Sequence, residues 1–253
     1  MATFIETDAT FPTDAGPILQ ADPAIDGGTL FCCDLLDAAS WPTQAAPANG
    51  DAIIDLAAID NSAITVVGGD ITWNDGFEFP LGSSSRILLP TSSDLVSDVD
   101  KFAIAVWVEF TDLSGATESV LTMGKSGSGY DNTQYIVYTN GTDLRWGVVG
   151  EADLDTPHHT LSTGQVYALV ITLEKNGADY DATLWVNGAA VDTHTVTGAM
   201  VDALTETAAR IGQGDIFGTT PGMIVKRWNA SDLTGWNAAE FVAADYAARQ
   251  AEF

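Results

Sequence analysis

Apolar and polar residues alternate with a period of two through much of the chain beyond Phe77. Phe102, Ile104, Val106, Val108 and Phe110 stand on one side, and Ala103, Ala105, Trp107 and Glu109 on the other. Successive side chains of a strand point to opposite faces, so this segment predicts a strand with one strongly apolar face. Residues 134–138 and 144–149 predict two more strands, joined by a turn at Asn140-Gly141. Tyr167, Leu169, Ile171 and Leu173 line one face of the next strand, and Val166, Ala168 and Val170 make its other face apolar too. A strand apolar on both faces belongs in the middle of a sheet. After a turn at Asn176-Gly177, Tyr180, Ala182, Leu184 and Val186 point one way, and Asp181, Thr183, Trp185 and Asn187 the other. Asn187-Gly188 then closes a hairpin with the positive φ angles of a type I′ turn. Further strands are expected over 190–196, 208–212 and 222–228. Many short strands with turn signals between them predict an all-β antiparallel sandwich or jelly roll.

The two ends read differently. Residues 1–48 hold five of the nine prolines (Pro12, Pro17, Pro23, Pro42 and Pro47), and short apolar clusters lie between them. Phe4, Phe11, Phe31 and Trp41 gain by burial, yet no period of 2 or 3.6 is sustained. Residues 1–75 are therefore expected to be an extended N-terminal arm that packs on its own sandwich or on a neighbour. Ile64-Thr-Val-Val is its best strand candidate. Residues 76–253 are expected to form the sandwich. At the other end Asn237 precedes Glu240 by three positions, a helix-capping pair, and Phe241, Val242, Ala244, Tyr246 and Ala248 follow at helical spacing. One short helix is predicted over 238–250.

Charge narrows the function classes. The chain has 253 residues and a net charge of −26, from 35 acidic against 9 basic residues. Such a surface repels phosphate backbones and anionic membranes, so neither nucleic acid nor membrane is an expected partner. No apolar run approaches the ~18 residues needed to cross a bilayer, and Met1 to Glu6 shows no signal-peptide pattern. Cys32 and Cys33 are adjacent, poorly placed for a mutual disulfide and too few for a thiolate zinc site, so they are expected to be small buried hydrophobes.

The order of the elements carries a resemblance. Phe77-Glu-Phe, Arg86-Ile-Leu-Leu-Pro90, Phe102 to Val108, and Ser119-Val-Leu-Thr-Met-Gly-Lys125 resemble the opening strands of the laminin-G/concanavalin A-like family. Leu161 to Thr172 resembles its next strand, with the usual Trp replaced near Val166. Ala182-Thr-Leu-Trp-Val-Asn-Gly188 is similar to its central hairpin, with Trp for Tyr. Ala209-Arg-Ile-Gly212, Gly222 to Trp228 and the helix region resemble its closing elements. The resemblance implies a concanavalin A-like jelly roll and is not specific for function. Gly28-Thr-Leu-Phe, Ala39-Ser-Trp-Pro42 and Ala45 to Asp51 resemble segments that precede such sandwiches in tailed-phage virion proteins, among them head decoration proteins and tail appendages.

Candidate chemistry is sparse. Hydrolases of this fold carry Glu-x-Asp-x-Glu or a variant. The nearest string, Glu151-Ala-Asp153-Leu-Asp155, ends in Asp and lies in a loop region, so no catalytic residue is assigned and no enzyme is expected. Calcium is the ion the resemblance implies, with oxygen ligands from Asp131, Asp143, Asp153 and Asp155, and also Asn132 and Asp215; no other cofactor is expected. His158 and His159 are adjacent and would face opposite ways on a strand; with His194 alone, all three are read as solvated. Trp146 and Trp185 are the candidates for stacking on a host-surface glycan.

These readings lead to an expected role as a capsid decoration or cement protein of a phage head. Phe4, Ile5, Phe11, Ile18 and Leu19 would anchor the arm to the major capsid protein lattice. A homo-oligomer, with a trimer favoured, and a virion location after assembly in the host cytoplasm go with it. The alternatives are a tail-fibre or receptor-binding component and a lectin-like carbohydrate-binding module.

Overall fold

A computed structural model describes residues 28–57, 64–89, 100–124, 133–148, 156–197, 209–214 and 216–253. These residues hold, in chain order, β1 (Thr29–Asp34), β2 (Ala52–Ile53), β3 (Ile64–Val67), β4 (Thr72–Trp73), β5 (Phe77–Phe79) and β6 (Arg86–Leu88). Then come β7 (Lys101–Asp112), β8 (Thr117–Gly124), β9 (Thr133–Asn140), β10 (Asp143–Val148) and β11 (His159–Thr160). β12 (Val166–Asn176), β13 (Asp179–Val186), β14 (Ala189–Val196), β15 (Arg210–Gly212) and β16 (Gly222–Asp232) follow, and α1 (Ala238–Arg249) ends the order. One sheet runs β14-β13-β12-β7-β16-β5-β4, with β1 also on β16. The other runs β11-β10-β9-β8-β15-β6-β3-β2. The two are antiparallel sheets packed face to face, the jelly-roll sandwich expected from the alternation.

The inner face of β7 is the one foreseen: Phe102, Ile104, Val106, Val108 and Phe110 all enter the core between the sheets. β12 sits between β7 and β13, as its two apolar faces required. β16 is buried along nearly its whole length, and a bulge between Val225 and Arg227 changes which of its residues face the core. Met223 and Val225 face the core before it, and Trp228 and Ala230 after it. An extra residue in one strand shifts every later side chain to the opposite face.

The hairpin at Asn187-Gly188 has φ of +52° and +80° at its two turn residues, which is the type I′ pattern. The other two turns differ from expectation by one position. Asn140 pairs with Asp143 and Asn176 with Asp179, so each Asn ends its strand. Gly141 and Gly177, at φ +59° and +68°, lead those turns.

The expected boundary at residue 76 needs correction. β1 pairs with β16, β3 with β6, and β4 with β5, so the described part of residues 28–75 supplies strands to both sheets. Phe31, Cys33, Leu35, Trp41, Ile53, Ile64, Val66 and Ile71 are in the same core as the later strands, and Trp41 meets Phe77 edge-on at 5.0 Å. These strands are two to six residues long, too short for a period of two to stand out. Cys32 and Cys33 are free and buried. Burial pushes the Cys32 thiol up to about 12, so it stays protonated.

Candidate functional site

The outer face of the first sheet is covered by α1. Asn237 caps that helix, its side-chain oxygen accepting from the backbone N–H of Ala239 at 3.0 Å and of Glu240 at 3.2 Å. Ala103 and Ala105 are small, so Val242 of the helix reaches the sheet and packs with Val170 and Leu233. Polar groups are buried along the same contact. The Arg227 guanidinium is wholly enclosed, lies 3.2 Å from Asp34, and also draws on the charge of Asp245 in the helix. The Asp245 carboxyl is pushed up by burial, against the pull of Arg227.

Past the end of this contact a cavity of about 470 Å³ opens. β7 supplies Trp107 and Glu109, the approach to β12 supplies Gly164, Gln165 and Val166, and the β13–β14 turn supplies Asn187. Tyr246 and Gln250 enter from the helical side, with Phe253 beyond them. The Tyr246 ring lies parallel to Trp107, at 5.7 Å between centroids and 10° between planes, and Phe253 stands 5.1 Å from Trp107. Local geometry holds these walls in place. Asn187 Oδ1 accepts from the Ala168 backbone N–H at 2.9 Å, fixing the turn. Gly188 has φ +80°, and a Cβ there would lie 3.0 Å from the Tyr246 ring, so the turn can press against the tyrosine only as glycine. Glu109 lies 3.4 Å from Lys226, but no Lys, Arg or His is among the cavity's lining residues. Ring surface beside a carboxylate and amides suits a ligand with both C–H faces and hydroxyl groups.

A second cluster lies at the edge where β14 of one sheet meets β10 and β11 of the other. Asp192 Oδ2 accepts from Trp146 Nε1 at 2.8 Å, and lies 3.0 Å from His158 Nδ1 and 2.8 Å from His194 Nε2. Burial raises the Asp192 pKa, but the Trp146 bond and the two imidazoles outweigh it and hold the carboxyl below its usual range. The solvated reading of the histidines is therefore corrected for this pair: His158 has only 8% of its side chain exposed and His194 21%. Sequence spacing could not reveal this, because the two residues arrive from different sheets. His159 does face away from His158, against Tyr167 at 5.9 Å.

The other expected site residues are scattered. Trp146 is wholly buried in the core, so its indole has no face open to a sugar. Trp185 lies on the opposite side of the molecule's first sheet, packed against the cluster beneath α1, with its Nε1 donating to Thr172 Oγ1 at 2.9 Å. The two do not share a face. Asp143 lies 3.4 Å from Arg145. Asp131, Asn132, Asp153, Asp155 and Asp215, with Glu151, lie outside the described residues, as do Phe4, Ile5, Phe11, Ile18 and Leu19. The helical spacing includes Tyr246, but nothing in the sequence joins it to Trp107, Gln165 or Phe253.

A sandwich of two antiparallel sheets with this strand order defines a lectin-type jelly roll. Residues 81–226 match the family model Laminin_G_3, described as the Concanavalin A-like lectin/glucanases superfamily, and the chain belongs to that family. No curated protein matches the sequence significantly. Among solved structures the chain is similar to Trypanosoma rangeli sialidase, with a TM-score of 0.61 at 14% identity, over 89% of this chain and 33% of that one. It is similar to the CBM40 of a Ruminococcus gnavus sialidase bound to α2,3-sialyllactose, with a TM-score of 0.50 at 16% identity, over 68% of this chain and 97% of that one. It also resembles a chain from work on botulinum neurotoxin type C and two ganglioside molecules, with a TM-score of 0.54 at 10% identity, over 88% and 51%. The chain thus spans about a third of the length of the sialidase. The sialidase likeness overturns the expectation that the chain stands outside the enzymes, since its fold is shared with glycosidases. At such identities the likeness shows the fold alone.

Proposed function

We propose that the chain binds a glycan in the cavity between α1 and the β13–β14 turn. The carrying observation is the placement of the partly exposed Tyr246 and Phe253 rings, backed by the buried Trp107, beside Glu109, Gln165 and Gln250. At about 470 Å³ the cavity falls within the ~300–1,000 Å³ typical of small-molecule sites. A pyranose would stack a C–H face on Tyr246 or Phe253 and place hydroxyls on the amides and the carboxylate. With Glu109 in the wall and no cation lining it, the cavity favours a neutral sugar over a sialylated one. The glycan-bound CBM40 among the similar structures supports the ligand class. A glycan array followed by calorimetry tests this. Neutral glycans are expected to bind, and Tyr246→Ala and Gln165→Ala each to weaken binding about tenfold or more, ~1.4 kcal/mol. Retention of no glycan, or binding indifferent to both changes, would refute the proposal.

A finer reading sets this module on a tailed-phage head as a decoration protein. Its support is sequence alone: the apolar residues Phe4, Ile5, Phe11, Ile18 and Leu19 ahead of the first described strand, and the resemblance of 28–51 to virion segments. Deleting residues 1–27 should lower occupancy on capsids, and full occupancy without them would remove the anchoring role.

A further inference from the structure

We propose that His158, Asp192 and His194 form a binding site for a divalent transition-metal ion of the zinc class. Their ligand atoms, two imidazole nitrogens and one carboxylate oxygen, all lie within 4.8 Å of one another. The backbone presents them well. Asp192 and His194 are two positions apart on β14, so both project from one side of the strand. They pair with Leu184 and Ala182, whose side chains are in the core, and so point inward with them. His158 comes from the other sheet, tied by its backbone N–H to the Leu144 carbonyl at 2.9 Å. A metal here would link the two edge strands of the sandwich across its open seam.

Donor chemistry selects the ion. Two imidazoles and one carboxylate suit zinc, cobalt, nickel or copper, whereas calcium and magnesium require mainly oxygen. Trp146 supplies an outer support: its Nε1–H holds Asp192 Oδ2 at 2.8 Å, and groups that orient a ligating carboxylate in this way strengthen metal binding. Ligand atoms around a tetrahedral zinc stand about 3.3 Å apart. Each nitrogen is now 3.0 or 2.8 Å from the oxygen, so both would move outward by a few tenths of an ångström and toward each other. His194, with 21% of its side chain exposed, has room to turn. No proton need leave when a neutral imidazole binds, because the proton facing Asp192 can sit on the other ring nitrogen instead. Three protein ligands leave a tetrahedral ion one position, and the exposed fraction of Asp192 and His194 gives it an opening to solvent.

The full chain, stripped with EDTA, is titrated with zinc by calorimetry and with cobalt by visible absorption. The expected result is one ion per chain and the intense d–d band of tetrahedral cobalt, with zinc displacing cobalt and calcium failing to. His194→Gln and Asp192→Asn should each weaken zinc binding at least about tenfold, while His159→Gln, whose ring faces Tyr167, should leave it unchanged. Far-UV circular dichroism of each variant is read alongside. Should a variant misfold, Trp146→Phe keeps all three ligands and is expected to retain the cobalt band with weaker affinity. Absence of a cobalt band in the wild-type chain, a calcium preference, or zinc binding unchanged in a His158→Gln/His194→Gln double variant would each overturn the site.

Discussion

Glu118 on β8 has only 5% of its surface exposed. Burial, with Asp112 nearby, pushes its carboxyl up to about 7. Gly115 has no side chain where the Glu118 carboxylate lies, so the loop closes over the acid. The consequence for stability has a definite sign. Below the ordinary value of 4.5 the group is protonated folded or unfolded; as pH rises toward about 7 the unfolded chain gives up this proton first. Its stabilising contribution is therefore complete at acid pH and is lost as pH rises through about 7. Thermal melts of the wild type and Glu118→Gln should diverge over this window, with the variant relatively more stable at pH 8. A constant difference across the window would refute the assignment. None of this was legible in the sequence, where Glu118 is one acid among 35 acidic residues. Trp107 was half legible: the alternation put it on the outer face of its strand, but gave no sign that Tyr246 would cover it.

Among the elements, those with strong local signals were read well. The α1 cap at Asn237 and the I′ turn at Asn187-Gly188 depend on neighbours two or three positions away, and both are where the sequence placed them. The long strands β7, β12 and β13 carry enough alternations for their faces to be assigned. The β16 bulge was not readable, because an inserted residue only shows against its partner strands. That bulge sends Arg227 outward beneath α1, where Asp34 of β1 and Asp245 of the helix meet it. This polar junction holds three elements together. Arg227→Met would leave two buried carboxylates without their cation, a change costing about 3–5 kcal/mol. A lowered denaturant midpoint in Arg227→Met, recovered in part by adding Asp34→Asn and Asp245→Asn, is the expected pattern. Equal stability of Arg227→Met and wild type would show that the junction is dispensable.

At the scale of the molecule, the jelly roll was legible because its order of strands and turns is spread over the whole chain beyond Phe77. Its true extent was not. Short strands, separated by loops that carry Pro42, Pro47 and many turn residues, gave residues 28–75 the look of an arm, and only pairing with distant strands shows them to be sandwich. A chain beginning at Gly76 would lose eight core side chains, from Phe31 to Ile71, and leave β16 and β6 with open edges. It is expected to aggregate or to lack a cooperative thermal transition, as followed by size exclusion and circular dichroism. A soluble, cooperatively melting product would restore the boundary at residue 76. The glycan cavity and the His–Asp–His seam were equally hidden, since each draws its residues from elements far apart in sequence.

The pairing of β1 with β16 also sets a timetable for synthesis. Cys33 leaves the ribosome nearly two hundred residues before its partner Trp228. Phe31, Cys33 and Leu35 lack their partner strand until β16 has emerged, and pairings between such distant segments form slowly. During that interval the nascent chain carries an apolar strand with nothing to pair it. The excess of acidic over basic residues, 35 against 9 over the 253 residues, then acts before any fold exists, each emerging copy repelling its neighbours on the same message.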